Sequence, residues 1–154
     1  MKKLLLIIAI FTISSVNSQW KKGFYVDEFG EKTDESFEYF GAIGTFSNSA
    51  TQNSKAKYDF IKSEQGIVIN VYEYSSSLAT SIEPTFETVK IRTPSKKVVV
   101  IKKVFFTKTG KLYFDKNRYE KLINTLQEKG DHIMIFDRSG DYSKSSYKIN
   151  FTIE

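Results

Sequence analysis

The feature that most constrains how this chain folds is an alternation of apolar and polar side chains along short segments separated by polar turns. The segment from Ser146 to Ile153 shows it most clearly, because every second side chain from Tyr147 onward is apolar. Successive side chains of a strand point to opposite faces, so such a segment buries one face and exposes the other. The pattern predicts a mainly β fold, an antiparallel β-sandwich or partly open barrel of about eight strands.

One stretch near the C-terminus has helical spacing instead. The apolar residues between Tyr119 and Leu126 recur at intervals of three and four, so they form one stripe along a helix. Asn117 and Glu120 have the spacing of an N-terminal capping box, and Gly130 stands where a helix commonly ends. We therefore expect one amphipathic helix that starts after Asn117 and packs its stripe against the sheet.

Two other segments carry specific expectations about the sheet. The most apolar one, Val98 to Thr107, lacks clean alternation, which predicts a central strand with both faces covered. Gly41 and Gly44 interrupt an otherwise aromatic strand, so we expect a bulge or a close approach between strands there.

The first residues predict export. Lys2 and Lys3 precede an apolar run from Leu4 to Ile13, which is far shorter than the about 20 residues of a membrane-spanning helix but fits a signal peptide. Small side chains place the cleavage after Ser18. We expect a signal peptide over 1–18, a single domain over 19–154 without a transmembrane segment, and a mature protein in the periplasm or outside the cell. The alternative is a buried N-terminal strand or helix.

Composition argues against most enzymatic chemistry. The chain of 154 residues has no cysteine and one histidine, His132, which excludes thiol catalysis and cysteine-ligated metal sites. A Ser–His–Asp site needs a base beside its serine, and we expect the lone histidine to be a packing or surface residue. The net charge of +5 falls to +3 without Lys2 and Lys3, which is not typical of nucleic-acid binding. We expect no catalytic residue, no cofactor, no metal and no nucleic acid.

Acidic pairs leave one enzymatic alternative open. Asp27 with Glu28, and Asp34 with Glu35, offer carboxylates that a hydrolase would use as acid and base if they met across a cleft. Acidic residues beside a glycine more commonly shape a turn, which is the interpretation we favour.

A group of lysines has two interpretations as well. Lys96, Lys97, Lys102 and Lys103 flank or lie within the apolar segment at 98–107. They either contact an anionic partner, such as lipid head groups or an acidic polymer, or protect a strand edge and keep the protein soluble. The second interpretation is the one we favour from sequence.

The most polar local segment is the candidate binding loop. From Ser47 to Ser54 only Ala50 is apolar, and hydroxyl and amide side chains either shape a tight turn or recognise a polar ligand. If the loop binds, the residues that we expect to carry recognition are Ser47, Asn48, Thr51 and Asn53.

Three features carry a resemblance: Trp20, the string VDEFG at 26–30 and the string GTFSNSAT at 44–51. With them the chain resembles a set of uncharacterised small exported bacterial β-sandwich proteins. The helix and the final strand are similar to theirs too, so the resemblance covers most of the mature chain. The layout, though not the residues, also resembles the invasion-associated locus B family, whose cysteines this chain lacks. Both resemblances imply a β-sandwich, and neither implies a catalytic residue.

Together these observations predict an exported, non-enzymatic binding or interaction module whose partner is an unknown protein, peptide or glycan. A carboxylate-dependent hydrolase and a purely structural envelope component are the alternatives.

Overall fold

A computed structural model describes residues 20–74, 76–81, 83–139 and 144–154. The predicted signal peptide, 1–18, lies outside the described residues. The elements are β1 (Lys21–Val26), β2 (Lys32–Ser47), β3 (Ser54–Ser63), β4 (Gly66–Glu73), β5 (Ser77–Leu78), β6 (Thr85–Arg92), β7 (Val98–Phe106), β8 (Lys111–Phe114), α1 (Lys116–Leu126), β9 (Gly130–Ser139) and β10 (Lys144–Ile153).

Eight of the strands close into a barrel. Around the wall the order is β2-β3-β4-β8-β7-β6-β9-β10, and β10 pairs with β2 again, so the order of the strands closes on itself. All neighbouring strands are antiparallel. The prediction of a sandwich or partly open barrel is therefore wrong. The long strand β2 closes the barrel, because it pairs with β3 on one side and with β10 on the other.

Large side chains fill the barrel. An eight-stranded barrel is just wide enough for its inward side chains to fill the interior, and six aromatic rings in this core are less than 2% exposed. Phe40 stacks on Phe60 at a centroid distance of 4.3 Å, and Phe136 stacks on Tyr147 at 4.6 Å. The fully buried rings are Tyr58, Tyr147, Phe46, Phe60, Phe106 and Phe114.

The helix closes a gap in the wall. Strand β8 is short and pairs with only the last two residues of β7, so among the described residues most of β7 has no strand partner on that side. From α1, Lys121 donates to the carbonyl of Val100 at 2.7 Å, and Arg118 donates through Nε to the carbonyl of Lys102 at 2.8 Å. Leu122 and Leu126 are buried, which confirms that the apolar stripe of the helix packs against the sheet.

The start of the helix differs from the prediction. Asp115 is the N-cap, and its side chain accepts a hydrogen bond from the backbone N–H of Arg118. Asn117 lies inside the first turn. The aspartate directly follows β8, so the chain turns into the helix two residues earlier than the capping-box spacing suggests.

Strand β7 also differs from the prediction, because its outer face is exposed. Val98 is 57% exposed, and Lys102 and Lys103 are both exposed. The register shifts between β6 and β7 at this point, and Lys103 has a positive φ of 58°. This β-bulge breaks the alternation of the segment, and the sequence pattern alone does not distinguish it from a strand covered on both faces.

The two strand glycines have different surroundings. A Cβ on Gly44 would lie 1.9 Å from the carbonyl oxygen of Lys148 and 2.9 Å from the Cα of Ile149, both on β10. This confirms the predicted close approach at Gly44. A Cβ on Gly41 would have its nearest neighbour, Asp59 Oδ1, at 3.7 Å, which is an ordinary contact.

Candidate functional site

The predicted binding loop lies between β2 and β3, at the barrel end that we call the mouth (Ser47, Ser54, Glu73 and Ser139). Asn48 Oδ1 accepts hydrogen bonds from two backbone N–H groups of the turn, at 2.9 and 3.0 Å. Ser47 Oγ accepts from the N–H of Asn53 at 2.9 Å, and the hydroxyl group of Thr51 bonds that of Ser54.

These bonds favour a structural role for the loop. Side-chain oxygens that bind nearby backbone groups shape tight turns. The structure brings Ser47, Asn48, Thr51 and Asn53 into one turn. Their role in recognition stays a prediction.

An exposed aromatic residue flanks this loop. Tyr74, directly after β4, is 57% exposed and meets the ring of Phe46 edge-on at 4.9 Å. Phe46 immediately precedes the loop, so an aromatic side chain does lie near the predicted binding residues.

The interior just below the mouth is polar. Tyr147 donates a hydrogen bond to Glu73 at 2.7 Å, and Tyr58 donates to the carbonyl of Thr45 at 3.1 Å. Burial raises the pKa of both phenols, and for Tyr147 the bond to Glu73 raises the pKa further because the carboxylate accepts the phenolic proton. Both tyrosines are therefore neutral hydrogen-bond donors.

Two more charged residues belong to this polar layer. Glu87 points inward from β6 and accepts a hydrogen bond from Thr85 at 2.5 Å, and burial raises the pKa of its carboxyl. The guanidinium of Arg138 lies 5.4 Å from the ring centre of Phe106 and donates to the carbonyl of Thr80 at 2.9 Å. The chain around Thr80 thus crosses the mouth and is tied to the barrel wall.

The polar layer does not follow from the sequence pattern. One signal is visible in retrospect, because Glu87 continues the inward positions of Val89 and Ile91 and is the polar member of that series. Pairing between strands that are distant in sequence determines which charged residues meet at the mouth of the barrel. Alternation within a single strand does not reveal that pairing.

A different surface lies outside the barrel. Strand β2 pairs with β3 only from Glu38 and with β10 only from Ile43, so residues 32–37 pair with β1 alone among the described strands. β1 and the first half of β2 therefore form a two-stranded ribbon that extends beyond the barrel wall.

Three rings share one face of this ribbon, and we call them the aromatic ribbon face: Tyr25, Phe37 and Tyr39. The centroid of Phe37 lies 5.0 Å from that of Tyr25 and 5.8 Å from that of Tyr39. Tyr25 is 43% and Tyr39 38% exposed. Gly23 lies against Phe37, since a Cβ there would meet the ring at 2.5 Å. This glycine lets the ring lie flat across β1.

The opposite face of the ribbon is anchored differently. Lys32 and Lys22 lie over the ring of Phe24, at 3.4 and 5.2 Å from its centre. At the base of the ribbon, Trp20 meets Phe40 of the core edge-on at 4.7 Å. The ribbon is therefore joined to the core through Trp20, the one tryptophan of the chain.

The acidic pairs of the sequence lie in or near this ribbon. Asp27 Oδ1 accepts hydrogen bonds from the N–H groups of Phe29 and Glu31, both at 2.9 Å. This confirms the turn interpretation for Asp27. Glu28, Asp34 and Glu35 are exposed.

The described surface includes two depressions that bear on the predicted residues. One, of about 480 Å³, opens where β10 continues beyond its last pair with β2, and His132, Phe151, Ile43 and Asn150 are among its lining residues. The other, of about 300 Å³, lies between the β3–β4 turn and the start of α1. Its carboxylates, Glu64 and Glu120, are exposed.

The histidine in the first depression is a packing residue. His132 is 1% exposed and stacks on Phe151 at a centroid distance of 5.3 Å. Its Nδ1 lies 3.0 Å from the carbonyl of Gly130, and its Nε2 lies 3.2 Å from that of Thr125. The ring therefore links the end of α1 to the start of β9, as expected for a packing role.

Among the described residues, no group of three or more His, Cys, Asp and Glu side chains is placed to hold a metal ion. No helix in the described part of the chain is long and apolar enough to cross a membrane. No family model, curated protein or solved structure matches this chain, so the resemblances drawn from the sequence stay predictions.

Proposed function

We propose that the chain is an exported, non-enzymatic binding module that holds an extended peptide segment of a partner protein along the outer edge of β1. The observation that carries this proposal is the ribbon with its half-exposed aromatic face. An isolated two-stranded ribbon is only marginally stable in water. This ribbon nevertheless exposes Tyr25 and Tyr39 to solvent and does not bury them against the core.

The edge of the ribbon suits a peptide. Within the described residues β1 pairs only with β2, so the backbone groups on its other side are free to pair with an added strand. A peptide that adds to a sheet edge gains affinity from main-chain hydrogen bonds and specificity from side-chain contacts. The rings of Tyr25 and Phe37 supply rigid contact area for those side chains.

The alternatives from the sequence have less support. The carboxylates of the polar layer, Glu73 and Glu87, receive hydrogen bonds from Tyr147 and Thr85, which favours a structural role for them over hydrolysis. A purely structural envelope component does not account for the exposed rings on the ribbon.

A displayed library of short linear peptides tests the proposal. The mature protein is used to select binders, and affinity is measured through the fluorescence of Trp20, which lies at the base of β1. We expect selected peptides to lose binding when their backbone is N-methylated at alternate positions, because N-methylation removes main-chain donors. We expect Tyr25→Ser with Tyr39→Ser to weaken binding about tenfold or more, as for central interface residues.

The matched control is Tyr74→Ser with Phe86→Ser, which removes two exposed rings elsewhere and should leave affinity unchanged. Failure to select any peptide, or equal losses in both double variants, would refute the proposal.

A further inference from the structure

The outward side of β6 and β7, with the turn between them, forms what we call the basic face. Its cations are all exposed, and none of them forms a salt bridge within the described residues. They are Lys90, Arg92, Lys96, Lys97, Lys102 and Lys103.

Two described carboxylates lie near this face, Asp137 on β9 and Glu128 beside the β6–β7 turn, and each has a partner of its own. Asp137 pairs with Lys144 at 3.2 Å, and its pKa is lowered chiefly by a hydrogen bond from Ser146, with smaller contributions from Lys144 and Lys90. Glu128 accepts a hydrogen bond from the N–H of Ser95 at 2.6 Å. The basic face therefore keeps a surplus of positive charge.

The bulge in β7 exposes more lysine side chains to solvent than a regular strand would. In a regular strand one of two neighbouring side chains points inward, but the bulge leaves both Lys102 and Lys103 exposed. Lys103 and Lys96 have positive φ values of 58° and 68°, a conformation that costs most side chains energy and favours glycine. The fold therefore places lysine where glycine would fit more easily.

Apolar side chains lie among these cations. Phe86 is 69% exposed and contacts Phe105 across the two strands at 5.3 Å, while Val98, opposite Arg92, is 57% exposed. From Phe86 to Arg92 the strand runs about 20 Å, and Phe86, Val98 and the cations lie on the same side of β6 and β7.

We infer that the basic face binds the surface of a bilayer containing anionic phospholipid. Lysine and arginine side chains attract anionic head groups while their apolar stems stay buried. Exposed rings such as Phe86 and aliphatic side chains such as Val98 enter the boundary between head groups and acyl chains. A soluble anionic polymer would bind the cations but would leave the apolar side chains in water. The exposed apolar side chains therefore favour a bilayer.

Vesicle co-sedimentation of the mature protein tests this inference. We expect binding to phosphatidylcholine vesicles that contain one third phosphatidylglycerol, little binding to pure phosphatidylcholine, and a loss of binding as salt is added. Lys102→Gln with Lys103→Gln should weaken binding about twenty-five-fold, from roughly fivefold for each cation near the surface. Lys55→Gln with Lys148→Gln removes the same charge from exposed positions on β3 and β10 and should change binding by less than about threefold.

The apolar part is tested separately with Phe86→Ser. This variant should bind the anionic vesicles more weakly while its binding to soluble inorganic polyphosphate stays the same. Equal losses in the two lysine double variants would overturn the inference, since net charge alone would then explain binding. Tight polyphosphate binding with vesicle binding indifferent to Phe86→Ser would also overturn it, and would assign the face to a soluble polyanion.

Discussion

Closure of the barrel through β2 and β10 predicts that two neighbouring glycines respond oppositely to the same substitution. In Gly44→Ala the new methyl group would lie 1.9 Å from the carbonyl oxygen of Lys148 and 2.9 Å from the Cα of Ile149. Both atoms belong to backbone, so the strands must separate or shift. Overpacking of this kind costs about 1–3 kcal/mol or more.

The matched variant Gly41→Ala lies on the same strand with room for the methyl group, whose nearest neighbour would be 3.7 Å away. There alanine mainly lowers the entropy of the unfolded chain, which stabilises by about 0.5–1 kcal/mol. We therefore expect the free energies of unfolding of the two variants to differ by roughly 2 kcal/mol or more.

Urea denaturation followed by Trp20 fluorescence, with circular dichroism as a second probe, measures this difference. At about 4 °C per kcal/mol the melting temperatures should separate as well. Equal stabilities for Gly41→Ala and Gly44→Ala would mean that β10 does not approach Gly44, and the closed barrel would then be wrong.

Four other predictions follow from particular contacts. Leu122→Ala should cost roughly 2–5 kcal/mol in a urea melt because the side chain is fully buried, and a loss below about 0.5 kcal/mol would place the helix stripe in solvent. Asn48→Ala should cost roughly 1 kcal/mol because its oxygen holds two backbone N–H groups, whereas unchanged stability with loss of a ligand would assign the residue to recognition. Burial raises the folded-state pKa of Glu87, so the stability that its carboxyl contributes is present below its ordinary pKa and is lost as the pH rises through the raised value. The stability of Glu87→Gln relative to wild type should therefore increase from acid to neutral pH. A difference in stability that stays constant with pH would contradict this. Mass spectrometry of the native protein should find Gln19 as the first residue, and retention of residues 1–18 would refute export.

Local patterns predict local structure in this chain. Tyr147 to Ile153 alternate in sequence and alternate between interior and solvent in the barrel. The stripe containing Leu122 predicts the buried side of the helix. These features depend on neighbouring residues, so they follow from strand and helix periodicity.

Closure does not follow from such patterns. A sandwich and a barrel both give each strand one inner and one outer face, and the choice between them depends on whether β10 reaches β2. Gly44 is the one residue that carried a hint, because a strand glycine often marks a close approach of another backbone. The bulge at Lys103 also escaped prediction, since a lysine with positive φ has no distinctive sequence signal.

The candidate surfaces were predicted only in part. The sequence offers an anionic contact as one of two interpretations of Lys102 and Lys103, but it does not show that Phe86 shares their face. The sequence does not predict the aromatic ribbon face, because Tyr25 and Phe37 look like ordinary strand residues. Their exposure follows only from the extension of β2 beyond the barrel.

An amide NMR titration of isotope-labelled mature protein with a selected peptide tests whether recognition occurs outside the filled barrel. We expect chemical-shift changes confined to β1 and the first half of β2, with Trp20 as the innermost residue affected. Shifts centred on Glu73, Glu87 and Tyr147 would contradict it, because they would place the ligand in the polar layer beneath the mouth.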